Sequence, residues 1–371
     1  MLALLEQLVN IDSGSYDAAG VNRVGELLAE QLHAMGFALR RRTVTGRGDL
    51  LVAERSYGGR GRVVVLGHLD TVWPEGTAEE WPFQRLDETL ATGPGVGDMK
   101  GGLVMALHAV QALQARGFDG VASVRFVLVP DEELGSAGSR ALIEEEVADA
   151  DAVLVLEPGR PGGGIVTARG ALGAYFIHAT GCSAHCASNY HKGASALREL
   201  AVKVAALDGL SKPDEGVVIN VGVLQGGTAR QVVPGEARMD IDLRARTQAQ
   251  AEQLQADIRR IAEMRKDDRV QVRLSGGLTR PAFAADGNRE LMQAAQTLAQ
   301  ALSVPVFEVP PVSGGSDGNF TAALGIPTLD GLGPICYDIC SRQETIEVQS
   351  LVDRGALLAG LIDLIPSFIK H

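Results

Sequence analysis

Five stretches of this 371-residue chain end an apolar run in a side chain that can bind a metal. They are VVVLGHLD with His68 and Asp70, GPGVGDMKGG with Asp98, FVLVPDEELGS with Glu132 and Glu133, AVLVLEPG with Glu157, and PICYDICSRQE with Cys336 and Cys340. A buried strand gains nothing by ending in a carboxylate or imidazole unless something at that edge binds it, since an unpaired buried acid is costly. Open α/β sheets place their sites at the carboxyl ends of strands, where several such ends converge. One imidazole with three or four carboxylates suits a divalent cation better than a side-chain nucleophile. The expected chemistry is hydrolysis assisted by one or two zinc-type ions.

Each motif carries a different part of that expectation. In His68-Leu69-Asp70 the aspartate lies on the same side of an extended chain as the imidazole, where it can accept the ring N–H and fix the tautomer. A lone strand-end histidine is more often structural, so this motif gains its weight from the acids elsewhere. Five glycines between Gly93 and Gly102 let the backbone fold tightly around Asp98. A phosphate cradle is excluded there, because the fixed aspartate repels an anion and no Gly-Lys-Ser/Thr follows. Asp131-Glu132-Glu133 follows a buried strand directly. Three adjacent acids usually make a solvated turn, yet consecutive side chains diverge, so one glutamate can bind a metal while its neighbour faces the substrate water.

The elements that must hold these residues are of two kinds. From Val21 to Met35 apolar residues recur at helical spacing, and RVVVLGH, Ser123–Val129 and Ala152–Leu156 are continuous apolar strands of the buried parallel type. Helices at Lys100–Arg116 and Ser139–Val147 alternate with them, which predicts an α/β layer structure with helices on both faces of a mixed sheet. After Gly170 the grammar changes. Leu172–Thr180, Gly216–Leu224, Ala237–Leu243 and Arg269–Leu274 read as strands, with helices at Ala194–Leu207 and Thr247–Met264, a split βαβ arrangement. A helix at Asn288–Leu302, a strand at Val304–Val309 and a helix at Val348–Ile369 resume the first pattern. The expected organisation is a metal-binding catalytic domain, residues 1–170 and 279–371, interrupted by an inserted α+β domain at 171–278.

The bulk composition narrows the function classes. Apolar residues make up 46% and charged residues 22%, as in a soluble globular protein. A net charge of −12 with no basic stripe argues against nucleic acid. No apolar run reaches the ~18 residues of a membrane span, so no membrane partner is expected. The first segment has Glu6 in its apolar stretch and no basic start, so it reads as an amphipathic helix, and a cytoplasmic location is expected.

Taken together the motifs resemble those of the M20 family of co-catalytic metallopeptidases, similar to glutamate carboxypeptidase, acetylornithine deacetylase and succinyl-diaminopimelate desuccinylase. The resemblance implies that His68, Asp98, Glu133 and Glu157 are ligands of one or two Zn²⁺ ions or other divalent metals, with Asp98 bridging. It makes Glu132 the general acid/base and Asp70 the residue orienting His68. His185, in Gly181-Cys182-Ser183-Ala184-His185, resembles a histidine that reaches into the partner subunit's site of a homodimer built through the inserted lid domain. Arg244 resembles the arginine that grips a substrate carboxylate, and Gln231 stands where relatives usually carry asparagine. Gly314 and Gly315, in SGGSDGNF, resemble a loop lining the carboxylate pocket. The implied substrate is a small-molecule amide with a free carboxylate.

The departure is at the last ligand, where relatives have His-Ser-x-x-Glu and this chain has Cys340-Ser341-Arg342-Gln343-Glu344. Cys340 as thiolate is an ordinary zinc ligand. Alternatively, that metal position is empty or weak, or the hydrolytic function is lost. All four cysteines lie in two Cys-x3-Cys pairs, Cys182/Cys186 and Cys336/Cys340. Converging across a dimer, they would form a four-thiolate metal or iron–sulfur site, or a redox bridge. The plainer alternative is that free cysteine acts as a small buried hydrophobe.

Overall fold

The computed structural model describes residues 1–368. Contacts divide the chain into two compact units. The larger comprises Met1–Ala168, Ala284–Val312 and Ser316 onward; the smaller comprises Arg169–Phe283 with Ser313–Gly315.

In the larger unit, strands β1 (Ala38–Thr43), β2 (Asp49–Ser56), β3 (Arg62–His68), β4 (Ser123–Val129) and β5 (Ala152–Val155) join a short strand at Thr328–Leu329. Their order is β1-β2-β4-β3-β5 followed by Thr328–Leu329. β1, β2 and β4 pair antiparallel, whereas β4-β3-β5 and the last strand are parallel, so the sheet is mixed. Both faces are covered. Along β3, Val63 and Val65 enter a core shared with the helices Ala18–Ala34, Gly102–Ala115, Arg289–Leu302 and Ser350–Leu364. Val64 and Leu66 point to the opposite core, with Ile143, Val147 and Phe320. This period-two alternation, apolar on both sides, is why the strand reads as an unbroken hydrophobic run.

The smaller unit is a four-stranded antiparallel sheet of β6 (Ala171–Thr180), β7 (Val218–Gly226), β8 (Glu236–Ala245) and β9 (Gln271–Arg280), in the order β7-β8-β6-β9. Helices Ala196–Asp208 and Gln248–Glu263 pack on one face, burying Tyr175, Ile177, Met239, Ile241 and Leu243. The other face carries the alternating exposed residues, as the half-polar strand patterns require.

Two expected elements are shorter than their apolar patterns suggest. The strand near residue 304 contracts to Phe307–Glu308, because Pro305, Pro310 and Pro311 cannot donate to a ladder. The last helix runs Ser350–Leu364 and tightens before Pro366, and Ile369 lies outside the described residues. Among the described residues, no helix is long and apolar enough to cross a membrane.

Candidate active site

Three neighbouring parallel strands deliver their ligands to one edge of the sheet. β3 ends at His68, opposite Val129 of β4, and Glu132 and Glu133 follow β4 in a short 3-10 turn. β5 lies on the other side of β3 and leads into Glu157. Asp98 reaches the same edge from the glycine-rich turn that opens the helix Gly102–Ala115. Glycine is required in that turn: Gly95 has φ +71°, and a Cβ at Gly97 would collide with the Cys336 sulfur.

Cys340 arrives by a route no periodicity announces. Strands of two and three residues, Cys336–Tyr337 and Thr345–Glu347, form a hairpin whose second arm pairs with Leu90–Thr92, just before the Asp98 turn. Glu344 fastens the two segments together. Its Oε1 accepts from the N–H groups of Gly97 (2.9 Å) and Asp98 (3.2 Å), and its Oε2 from the N–H of Cys340 (3.3 Å).

The result is two candidate ligand groups sharing one aspartate: His68, Asp98 and Glu157, and Asp98, Glu133 and Cys340, with ligand atoms in each group within 4.8 Å of one another. His68 Nε2 faces Asp98 Oδ1 at 3.2 Å and Glu157 Oε1 at 3.9 Å. Cys340 Sγ donates toward Asp98 Oδ2 at 3.5 Å. His68 Nδ1 lies 2.9 Å from the backbone carbonyl of Asp70 and 3.4 Å from its Oδ1, so the ring proton belongs on Nδ1 and the Nε2 lone pair faces the acids. The Asp70 carboxylate has a second task. It accepts from the hydroxyl of Ser15 (2.6 Å) and from the N–H groups of Glu132 (3.1 Å) and Glu133 (3.2 Å), which anchors the turn carrying both glutamates.

The electrostatics suit a bound cation. Burial, then Asp98, pushes the Glu133 carboxyl well above its usual range, and burial with Asp98 and Glu132 does the same to Glu157. Burial opposes charging of His68, but hydrogen bonds to Asp70 and Asp98 outweigh it and raise the imidazole well above its ordinary value. Burial and Asp98 likewise push the Cys340 thiol upward. Glu133 Oε1 is buried with no hydrogen-bond partner among the described residues. Carboxylate, imidazole and thiol donors that repel one another and leave an orphaned oxygen fit divalent ions of the zinc type.

The remaining residues of interest lie in the smaller unit. His185 is exposed, and its Nδ1 accepts from the N–H groups of Ala187 (3.2 Å) and Ser188 (3.4 Å), which leaves the proton on Nε2. The Gln231 segment pairs with it, since Cys186 N–H donates to the Gln231 carbonyl at 2.9 Å. Arg244 forms a forked pair with Asp242 (2.7 and 3.0 Å) and donates to the Ser313 carbonyl. Gly314 receives the guanidinium of buried Arg169 at 3.0 Å, and buried Arg280 packs against Gly315. Sequence reading missed Arg169, Arg280, Ser15 and Glu344, whose partners are distant in the chain and leave no local pattern.

The four-thiolate site has no support. Cys336 is buried in the main core, Cys182 and Cys186 are exposed free thiols, and among the described residues Cys340 is the only cysteine in a ligand group.

A sequence model of peptidase family M20/M25/M40 matches residues 64–364. The chain belongs to this family. Carboxypeptidase G2 of Pseudomonas sp. (strain RS-16) is 28% identical over 367 residues, covering 98% of this chain and 88% of that protein. Succinyl-diaminopimelate desuccinylase of Alkalilimnicola ehrlichii is 31% identical over 376 residues, covering 91% and 92%. The solved M20 family metallo-carboxypeptidase of Sulfolobus solfataricus shares the fold over 99% of both chains, with TM-score 0.77 at 17% identity. This M20 member is a metal-dependent hydrolase of the peptidase type.

Metal removal from this M20 site has a predictable pH signature. Glu133 and Glu157 carry raised folded pKa values, so their ionisation destabilises the metal-free fold as pH climbs above the ordinary carboxylate range. His68, raised too, contributes stability below its ordinary value that is lost as pH passes its folded value. Both effects have the same sign. Chelation is expected to lower Tm on the order of 5 °C at pH 8 and less at pH 5.5, by scanning calorimetry.

Proposed function

We propose that this M20 hydrolase cleaves the amide bond of a small N-acyl- or peptidyl-amino acid carrying a free carboxylate, in the manner of a glutamate carboxypeptidase. The observation that carries the reading is two ligand groups sharing Asp98, with Glu132 beside them and in neither. Held by His68, Asp98 and Glu157 and by Asp98, Glu133 and Cys340, two Zn²⁺ ions would lower the pKa of a water and polarise the scissile carbonyl.

The chain's own residues do the rest. Glu132 takes the proton of the attacking water and passes it to the leaving amine. Asp70 holds the Glu132 turn and the His68 ring in register. His185, protonated on Nε2, donates to the developing oxyanion, and the resemblance supplies it from the partner subunit of a homodimer formed through the smaller domain. Arg244 pairs with the substrate carboxylate through the N–H groups that Asp242, on Nε and Nη2, and the Ser313 carbonyl, on Nη1, leave over, and Asp242 fixes the plane. Gly314 and Gly315 offer backbone beside it, and Gln231 stands on the loop paired to His185.

The testing experiment compares metal-free and zinc-reconstituted enzyme on N-acyl-glutamates and dipeptides, following amine release and zinc per chain. Metal-dependent release with two ions per chain is expected. Fully reconstituted protein that releases no amine from any of these would overturn the reading.

Cys340 offers a further prediction. A thiolate donates more charge than imidazole and makes the ion a weaker Lewis acid. Cys340 has φ +59°, a backbone conformation that histidine tolerates better than most residues. Cys340→His is therefore expected to raise kcat severalfold, read as initial rates at saturating zinc; an unchanged or lower rate counts against thiolate ligation.

A further inference from the structure

Beside the metal centre the larger unit has a cavity of about 520 Å³ that none of the roles above uses. Glu133 forms part of its wall, so it opens directly from the second ligand group. Its apolar lining is Tyr16, Val72, Trp73 and Leu134. Three of these are unusually exposed for their type: Tyr16 at 77%, Val72 at 44% and Leu134 at 36%. Large apolar side chains gathered in the open beside a catalytic centre mark a ligand surface.

The charge of the lining selects the ligand. Its charged members are Asp17, Glu75 and Glu133, all acids, and among the described residues no lysine, arginine or histidine lines it. The three arginines that touch its lining are already engaged: Arg342, over the Trp73 ring, pairs with Glu80 at 3.0 Å. Arg47 lies over the Tyr16 ring at 4.7 Å while donating to the Gly46 carbonyl, and Arg23 pairs with Asp17 at 3.7 Å. Such a cavity repels the carboxylate end of the substrate, so it must receive the other half.

We infer that this cavity is the acyl subsite and that it takes an uncharged aromatic acyl group, with Tyr16 and Trp73 as specificity-determining residues. The inference rests on the amide-hydrolase reading above. It also separates this chain from relatives named for removing succinyl, an acyl group with its own carboxylate that Glu75 and Asp17 would repel. Trp73 is a prepared wall: its ring meets Trp81 edge-on at 5.2 Å, and Arg342 stands over it at 5.5 Å. Tyr16, by contrast, is free to be replaced without disturbing the core.

The test uses the full-length, zinc-loaded enzyme with N-benzoyl-, N-acetyl- and N-succinyl-amino acids, each made with glutamate, alanine and leucine. The expected order of kcat/KM is benzoyl, then acetyl, then succinyl. Tyr16→Ala is expected to lower the benzoyl value about tenfold and the acetyl value far less. Glu75→Lys is expected to raise the succinyl value severalfold, a gain that misfolding cannot produce. A preference for succinyl, or a benzoyl preference that survives Tyr16→Ala, would overturn the inference while leaving the hydrolase reading standing. Should no compound be cleaved, the hydrolase reading falls, and binding alone decides the subsite. Benzoyl compounds are then expected to change the emission of the chain's two tryptophans, with Tyr16→Ala weakening that response; no response, or one Tyr16→Ala leaves intact, would overturn it.

Discussion

Glu132→Gln is expected to reduce turnover about 10³-fold while leaving bound metal unchanged. The two properties separate because Glu132 lies in neither ligand group, although it follows Asp131 in the same turn as Glu133, which lies in one. Both glutamates are tied by their backbone N–H groups to one carboxylate, Asp70, so glutamine at 132 keeps the turn in place. What it loses is a group able to carry a proton. Removing the charge also lessens the repulsion that Glu132 exerts on Glu133 and Glu157, so a drop in metal affinity is not expected to confuse the result beyond a small factor. Glu133→Gln is the control: it removes a ligand and is expected to lower zinc per chain together with activity. Zinc content by elemental analysis and kcat on the same samples check both variants. Zinc lost from the 132 variant and kept in the 133 variant would exchange the two roles.

How far the chain announced this arrangement depends on the kind of contact involved. β3, β4 and β5 were legible because a strand buried on both faces is a continuous apolar run, and an acid or imidazole at its end stands out against it. Asp98 was legible for another reason, since its glycines have no use in a plain helix start. The smaller unit was legible through alternation, which one solvated face imposes on β6 and β8. Cys340 was legible as a metal-binding side chain at the end of a short apolar run, but its place as the last ligand came only from the resemblance. The strands that carry it are two or three residues long, too short to show any period. Ser15, 55 residues from Asp70, and Glu344, 246 from Asp98, act through contacts that no local pattern encodes. The spacing predicts the Asp70 side chain as the orienting partner of His68, but the closer oxygen is that residue's backbone carbonyl. An extended chain places both on the same side of the ring, and sequence spacing does not distinguish them.

Asp98→Asn is expected to have opposite effects on stability and function, which makes it the sharpest test of the shared-ligand geometry. Among the described residues Asp98 alone belongs to both ligand groups: one oxygen faces His68 Nε2 at 3.2 Å and the other faces Cys340 Sγ at 3.5 Å. Losing its charge weakens both metal positions, so zinc per chain should fall toward zero after dialysis and kcat about 10³-fold or more. The same charge is the largest repulsion acting on Glu133, Glu157 and Glu344 after burial. In the metal-free state its removal relieves three buried acids together, so the apo variant should melt several degrees above apo wild type at pH 8. That advantage shrinks at pH 5.5, where the acids with raised pKa values are protonated in either protein. Glutamine in place of Glu344, whose carboxylate takes three backbone N–H groups and is raised to about 7, offers a contrast: it disturbs the turn itself and should lower apo Tm. An Asp98→Asn protein that keeps two tightly bound ions would show that the two ligand groups do not share a bridge. One that loses metal but gains no apo stability would show that the acids are not held apart by charge, and the case for a cation would then rest on donor geometry alone.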